Sequence, residues 1–179
     1  MFSRIKKEGE FVLSSGVKSN YNYDYSLLSD TMNEAYCSLL KQKLDVWQSK
    51  HGKFDVIVGC ETEGIRIGYV LSKLIDLPFY IMPKKSTDFA EAAIPPYPGD
   101  THWLIVDDIV TTGSTFMRAV NFLDIEEKPE SITFACMIKR NPANMDYSAV
   151  HGDPDKEQFH VRDERFDFID KRLVALHSE

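Results

Sequence analysis

Two adjacent aspartates follow an apolar run in the middle of the chain, where the stretch WLIVDD ends at Asp107 and Asp108. The stretch places no basic residue beside them. Two neighbouring carboxylates at the end of a buried strand need a cation or hydroxyl donors as partners, and a divalent metal ion or a ribose diol would supply these. The pattern therefore indicates a binding site.

A polar turn follows the aspartates after two apolar residues. It consists of Thr111, Thr112, Gly113, Ser114 and Thr115. Its backbone N–H groups and hydroxyls, together with the positive end of the helix that the next residues predict, favour an anion such as phosphate. The aspartates would accept hydrogen bonds from a diol, and the N–H groups of the turn would bind a phosphate. Together they predict a site for a ribose 5-phosphate. The alternative is that the turn only caps a helix and that one aspartate is solvated.

Strand and helix patterns alternate around this site. Apolar, β-branched runs predict strands at 54–59, 78–82, 102–108 and 131–139, and helical spacing of apolar residues predicts helices at 31–50, 64–76 and 113–125. The first helix is expected to start at a capping box, TMNE at 31–34. Residues 83–102 contain four prolines and predict a long loop.

This alternation is typical of an α/β fold with a mostly parallel sheet covered by helices on both faces. Ligands of such sheets bind outside the carboxyl ends of the strands, which here are the loops at 59–64, 83–102 and 107–115. The first 29 and last 40 residues do not follow the alternation and are expected to cover one end of the sheet.

Composition narrows the class of protein. A length of 179 residues predicts one domain, and the absence of a long apolar run or secretory signal predicts a cytoplasmic protein without a membrane partner. The net charge of −7 argues against nucleic acid as a partner. Three well-separated cysteines predict reduced thiols, with Cys37 and Cys136 in the core.

Three stretches resemble one enzyme family. LIVDDIVTTGST resembles the phosphoribosyl pyrophosphate (PRPP) signature of the type I phosphoribosyltransferases. GEFVLSSGVKSNYNYD at 9–24 and DVIVGCETEGIRIGYVLSKLIDLPFYIMPKK at 55–85 are similar to segments of the orotate phosphoribosyltransferases within that family. Together they cover roughly half of the chain, in the family's order.

The resemblance implies a type I phosphoribosyltransferase fold over residues 1–179, with a core at about 30–139 and a small hood from about 1–29 and parts of 140–179. It implies transfer of the ribose 5-phosphate of PRPP to a ring nitrogen of a base, orotate or a related pyrimidine, with release of pyrophosphate. Mg²⁺ would bridge ribose and pyrophosphate oxygens, and a homodimer is expected from the resemblance alone.

The resemblance also implies roles for individual residues. Asp107 and Asp108 would hold the ribose hydroxyls directly or through Mg²⁺, and the turn at 111–115 would bind the 5-phosphate. Lys18 would reach over the site, and Phe11 and the tyrosines at 21–25, Tyr23 among them, would line the base pocket. The expected pyrophosphate site consists of Cys60, Glu61, Thr62, Glu63, Gly64, Lys84 and Lys85.

One stretch departs from the family. Thr87 and Phe89 stand where orotate phosphoribosyltransferases carry the lysine and histidine of a closing loop, and no basic residue occurs between Lys85 and His102. The chain could use another base, a purine included, with different loop chemistry. It could instead draw a cation from Arg66, Lys85, Arg140 or a dimer partner. The third alternative is a regulatory protein that binds PRPP without turnover.

Overall fold

A central parallel sheet organises the chain. The computed structural model describes residues 2–13, 17–60, 62–82, 101–122, 132–140, 169 and 171–179. Five strands form the sheet in the order β4-β3-β5-β6-β7, and every neighbouring pair is parallel. They are β3 (Val56–Cys60), β4 (Phe79–Met82), β5 (Trp103–Val110), β6 (Ile132–Lys139) and β7 (Leu173–Ser178). The α/β fold with a parallel sheet, as predicted, is confirmed.

In the described part of the chain, three helices cover the two faces of the sheet: α1 (Asp30–His51), α2 (Glu63–Ile75) and α3 (Ser114–Phe122). Alternate residues of β5 point to opposite faces, so Leu104 and Val106 pack in the cluster that contains the buried side chains of α1 and α2. Ile105 packs in a second cluster with Phe116 of α3. Both faces are therefore apolar, which explains why the strands read as continuous apolar runs.

A two-stranded antiparallel sheet forms the hood, which we define as β1 (Lys6–Val12) and β2 (Lys18–Tyr23). Arg140, at the carboxyl end of β6 and almost fully buried, holds it to the central sheet. Its guanidinium donates hydrogen bonds to the Ser19 hydroxyl at 2.7 Å and the Tyr21 carbonyl at 3.0 Å. The Tyr21 and Tyr23 hydroxyls donate to the Glu179 carboxylate at 2.5 and 2.6 Å. The hood therefore lies at the carboxyl edge of the sheet.

The predicted starts of α1 and α2 and the predicted end of β5 were wrong. The N-cap of α1 is Ser29, whose hydroxyl accepts from the Met32 N–H at 3.3 Å, so the helix begins before the predicted capping box at 31–34. Strand β5 does not end at the aspartates; it stays paired with β6 as far as Val110. Helix α2 begins at Glu63, one residue earlier than predicted.

The C-terminal residues contain an unpredicted fifth strand. Strand β7 pairs with β6 at one edge of the central sheet, with Ala135 opposite Val174. This part of the last 40 residues therefore extends the sheet and does not cover one end of it. Among the helices in the described part of the chain, none has both the length and the apolar character that a membrane span requires.

Glycines allow α2 to lie very close to β3 and β5. A Cβ atom added to Gly64 would lie 2.5 Å from the Val106 carbonyl oxygen, and one added to Gly59 would lie 2.6 Å from the Gly64 carbonyl oxygen. Both neighbours are backbone atoms of packed elements, so they cannot move independently of the fold. The close approach places the first turn of α2 beside the strand that carries the aspartates.

We expect Gly64→Ala to lower the free energy of unfolding by about 1 to 3 kcal/mol, because the added methyl group forces α2 away from β5. Urea denaturation followed by circular dichroism measures this change. Lys73→Ala is the control, because Lys73 is exposed on the same helix and should change stability by less than about 0.5 kcal/mol. Equal midpoints for Gly64→Ala and the unmodified protein would contradict the close packing.

Candidate active site at the carboxyl edge of the sheet

The carboxyl ends of β3 and β5 bring the predicted site segments to one edge of the sheet. Strand β3 ends at Cys60 and leads into α2, and β5 ends at Val110 and leads through the polar turn into α3. Because the strands are parallel and hydrogen-bonded neighbours, these two strand-to-helix connections lie side by side. This edge is where ligands of open α/β sheets bind.

Asp107 and Asp108 form a carboxyl pair in which Asp107 is buried and Asp108 is half-buried. Asp107 is 7% exposed, and its Oδ1 accepts a hydrogen bond from the Asp108 N–H at 2.9 Å. Asp108 Oδ1 accepts from the Ile109 N–H at 2.8 Å. The charge of Asp108 acts on Asp107, so ionising both carboxyl groups together is unfavourable without a partner.

The pKa values of the pair follow from this environment. Burial raises the pKa of Asp107 well above its ordinary value, and the neighbouring charge of Asp108 adds to the effect. Burial also raises the pKa of Asp108, against the hydrogen bonds that it accepts, and the Glu63 carboxylate adds to the increase. The site is therefore electrostatically prepared for a cation or for hydroxyl donors, which would allow both carboxyls to ionise.

The turn at 111–115 and Asp107 line the same concavity. It is bounded by Asp107 and by residues 109–116. Gly113 has φ of +78°, a conformation that favours glycine, and the Ser114 N–H faces the Thr112 hydroxyl at 3.4 Å. The Thr115 side chain hydrogen-bonds to Asp107, which links the turn to the carboxyl pair. The N–H groups at the start of α3 thus open beside the carboxyl groups.

Glu63 lies at the start of α2, close to the carboxyl pair. Its Oε2 atom is buried and lacks a hydrogen-bond partner among the described residues, although Arg66 Nη1 lies 3.6 Å away. Thr62, the N-cap residue, makes no side-chain capping hydrogen bond and is exposed. Gly64 contacts the β5 backbone, as described above. The Glu63 carboxylate therefore adds negative charge to the field at Asp108.

Comparison with known proteins identifies the family. Residues 35–162 match the family described as the phosphoribosyl transferase domain. The chain belongs to this family. The predicted resemblance to type I phosphoribosyltransferases, and to orotate phosphoribosyltransferases among them, is confirmed.

Two similar relatives are named orotate phosphoribosyltransferase. The Staphylothermus marinus protein is 30% identical over 122 residues, which cover 66% of this chain and 58% of that protein. The Pyrococcus abyssi protein is 31% identical over 121 residues, which cover 65% of each chain. The match thus spans about three fifths of the length of these relatives.

A solved structure supports the phosphoribosyltransferase fold. The orotate phosphoribosyltransferase of Aeropyrum pernix superposes with a TM-score of 0.66 and 20% identity, over 98% of this chain and 89% of that one. The Francisella tularensis enzyme of the same name gives a TM-score of 0.57 at 20% identity, over 98% of this chain and 80% of that one. At this identity the likeness shows the fold alone, and it confirms the predicted fold.

The structure corrects the expected place of Cys60. The sequence pattern predicts a loop at 59–64, but Cys60 is the last residue of β3 and its side chain is fully buried in the cluster under α3. Burial raises the pKa of its thiol, and Asp107 adds to this increase. The thiol therefore cannot contact a ligand in the loop. Glu61, Lys84 and Lys85 lie outside the described residues.

The hood residues differ in their surroundings. Lys18 is exposed on β2, and Phe11 is half-buried on β1. Tyr23 is buried, and its hydroxyl is held by Glu179. Tyr25 is also buried and donates to Asn33 Oδ1 at 2.9 Å, within electrostatic reach of Asp108 and Glu63. Of these aromatic residues, Tyr25 is the one that the structure relates to the carboxyl pair.

Two cations proposed from the sequence, Arg66 and Arg140, are already engaged. Arg66 donates to the Leu28 carbonyl at 2.6 Å and to Asp30 at 2.9 Å. Arg140 holds the hood. His102 precedes β5 at the opposite edge of the sheet, where its ring bonds Thr133 Oγ1 at 3.0 Å and burial lowers its pKa.

Sequence reasoning missed the contribution of Glu179 to the hood. The apolar alternation of the last residues, LVALHS, offered a weak strand signal, but no signal connected Glu179 with two tyrosines more than 150 positions earlier. The contact depends on β7 joining the sheet beside β6.

Asp107→Asn should stabilise the protein by about 1 kcal/mol at pH 8 and have little effect at pH 4. The folded-state pKa of Asp107 lies above its ordinary value of 3.8, so the folded chain keeps a proton that the unfolded chain releases. Stability is therefore lost as the pH rises through the folded-state pKa. The amide removes this cost and keeps the oxygen that accepts from the Asp108 N–H.

Urea denaturation in EDTA at pH 4, 6 and 8 measures the effect. The control is Asp45→Asn, because Asp45 is exposed in an i,i+4 pair with Lys41 and should change stability by less than about 0.5 kcal/mol. A loss of stability at pH 8 in Asp107→Asn would show that the carboxyl pair is not a source of electrostatic strain.

Proposed function

We propose that this protein binds PRPP with Mg²⁺ and transfers the ribose 5-phosphate to a nitrogenous base, with orotate or a related pyrimidine as the favoured acceptor. The observation that carries this proposal is the single concavity lined by Asp107 and the turn at 111–115. A phosphate on the N–H groups at the start of α3 and a diol on the carboxyl pair match the two ends of a ribose 5-phosphate.

The carboxyl pair fits a magnesium site. Burial and the neighbouring Asp108 charge disfavour the ionised form of Asp107, and a bound cation would offset both effects. Mg²⁺ prefers oxygen ligands and is usually held by one or two carboxylates together with substrate oxygens, so a cluster of three protein ligands is not required. When bound, the ion would neutralise charge on the pyrophosphate leaving group. Asp107 and Asp108 would hold it and the ribose hydroxyls.

The chain's own residues would act mainly through position and charge. The turn would fix the phosphate end, and the carboxyl pair would fix the ribose, so that C1 faces the acceptor base. The carboxylates would also stabilise the positive charge that develops on the ribose as pyrophosphate leaves. The hood lies over this edge and would exclude water.

Two observations favour orotate as the base. The relatives that match this chain are named orotate phosphoribosyltransferase. In addition, the Nε atom of Arg140 is buried without a hydrogen-bond partner among the described residues. A carboxylate-bearing base at the hood would supply an acceptor for this cation. A homodimer remains part of the proposal by family resemblance.

One observation favours a second candidate, a PRPP-binding protein without turnover. Pyrophosphate release needs positive charge, yet Arg66 and Arg140 are held by other groups and His102 lies at the opposite edge. Glu63 adds a negative charge beside the pair. Unless bound Mg²⁺ and Lys84 or Lys85 provide enough positive charge, binding would persist without catalysis.

Phosphorus NMR tests the proposal. The protein is incubated with PRPP and Mg²⁺, alone and with orotate, uracil, hypoxanthine, guanine or adenine. We expect pyrophosphate release that depends on orotate, and a decrease of about 100-fold or more in Asp108→Asn, because a charged group that contacts the ribose is lost. Asp45→Asn, on exposed α1 surface, should retain the full rate.

The other outcomes separate the candidates. If PRPP resonances broaden or shift and no base gives pyrophosphate, the protein binds without turnover, and the second candidate replaces the first. If PRPP resonances are unchanged at high protein concentration, the phosphate site at 111–115 is wrong. Release with a purine alone would change the acceptor and leave the PRPP site intact.

A further inference from the structure

A groove separate from the candidate active site lies between the C-terminal half of α1 and strand β7. Its volume is about 460 Å³, which lies in the usual range of small-molecule sites. We call it the lysine groove. Its characteristic side chains are Lys43, Lys50, Lys139, Trp47, His51 and Leu173.

The lysine groove is strongly positive in an acidic protein. Three lysines and a histidine line it, and none of its described lining residues is acidic, although the chain has a net charge of −7. Lys43 also fixes the groove wall, because its ammonium group donates to the Ala175 carbonyl at 2.7 Å and the Leu176 carbonyl at 2.9 Å. Clustered positive charge on a fixed wall favours an anionic ligand.

The groove also contains an ordered pair of aromatic rings. The Trp47 indole stacks on the His51 imidazole with centroids 4.1 Å apart and planes inclined by 27°. Trp47 Nε1 donates to the Thr133 hydroxyl at 3.0 Å, which fixes the ring in the sheet wall. His51 is exposed and forms the outer member of the stack. A flat aromatic ligand could extend this stack with little loss of side-chain entropy.

We propose that the lysine groove binds a nucleotide, with the phosphate on the lysines and the base against the Trp47–His51 pair. The lysines could bind the phosphate of a nucleotide, and the Trp47–His51 pair could stack on its base. Inorganic phosphate would contact only the lysines, and a nucleoside would contact only the rings. The inference does not depend on the proposed catalytic function, because the groove lies on the α1 side of β7 and shares no residue with the concavity at 107–116.

Amide NMR spectra recorded during titration with uridine 5′-monophosphate test this site. We expect saturable shifts at residues 46–51 and 173–178 in the unmodified protein. Lys50→Glu should weaken binding at these residues by about tenfold or more, the effect of losing one charge-assisted hydrogen bond. Lys73→Glu is the matched control, because both lysines are exposed in the last turn of a helix and Lys73 lies outside the groove.

The same titration separates this site from the active site, because nucleotide binding there would shift residues 111–115. Shifts at 111–115 without shifts in the groove would overturn the groove and leave the proposed function standing. Groove shifts alone would support the groove and count against the proposed function. Equal affinity for inorganic phosphate would overturn the nucleotide assignment. Groove shifts that follow protein concentration and not nucleotide would assign the groove to a second copy of the chain.

Discussion

The electrostatic repulsion between the neighbouring Asp107 and Asp108 carboxyl groups, one buried and one half-buried on a central strand, is the constraint on which the rest of the site depends. A parallel sheet buried on both faces offers few solvent contacts at the end of a central strand, so two carboxyls there cannot both be charged without a partner. The protein retains this unfavourable pair beside a phosphate-type turn. The free-energy cost of burying neighbouring carboxyl groups is expected at a site where a ligand supplies the positive charge or the hydroxyl donors that the pair lacks.

The surrounding packing gives the pair its geometry. Gly64 lets α2 approach the β5 backbone, which brings Glu63 into the field of Asp108. On the other side of the strand, the Thr115 side chain connects Asp107 to the first turn of α3. The hood closes the edge through Arg140, whose side chain is fixed by two hood hydrogen bonds. The site is thus built from rigid elements that meet at one edge of the sheet.

The alternation of apolar strands and amphipathic helices predicted the parallel sheet, and the order of DD and TTGST predicted the carboxyl edge as the site. Local sequence patterns predicted the wrong element boundary where several neighbouring residues could fill the same role. Ser29, Asp30 and Thr31 are all good N-cap residues, and the structure has Ser29 in that position. A charged pair suggests a strand end, yet hydrogen bonds to β6 continue β5 to Val110. Arg140 contacts the hood, and Glu179 contacts two tyrosines, only because of the order of the strands in the sheet. The pattern of a single sequence does not encode that order.

The most direct measurement is a crystal structure of the protein with PRPP and Mg²⁺. The proposed function predicts the 5-phosphate within hydrogen-bond distance of the N–H groups at 112–115, with the ribose hydroxyls or the ion on Asp107 and Asp108. Density for PRPP at another place, away from Asp107, Asp108 and the turn at 111–115, would contradict the central claim that this edge is a ribose 5-phosphate site.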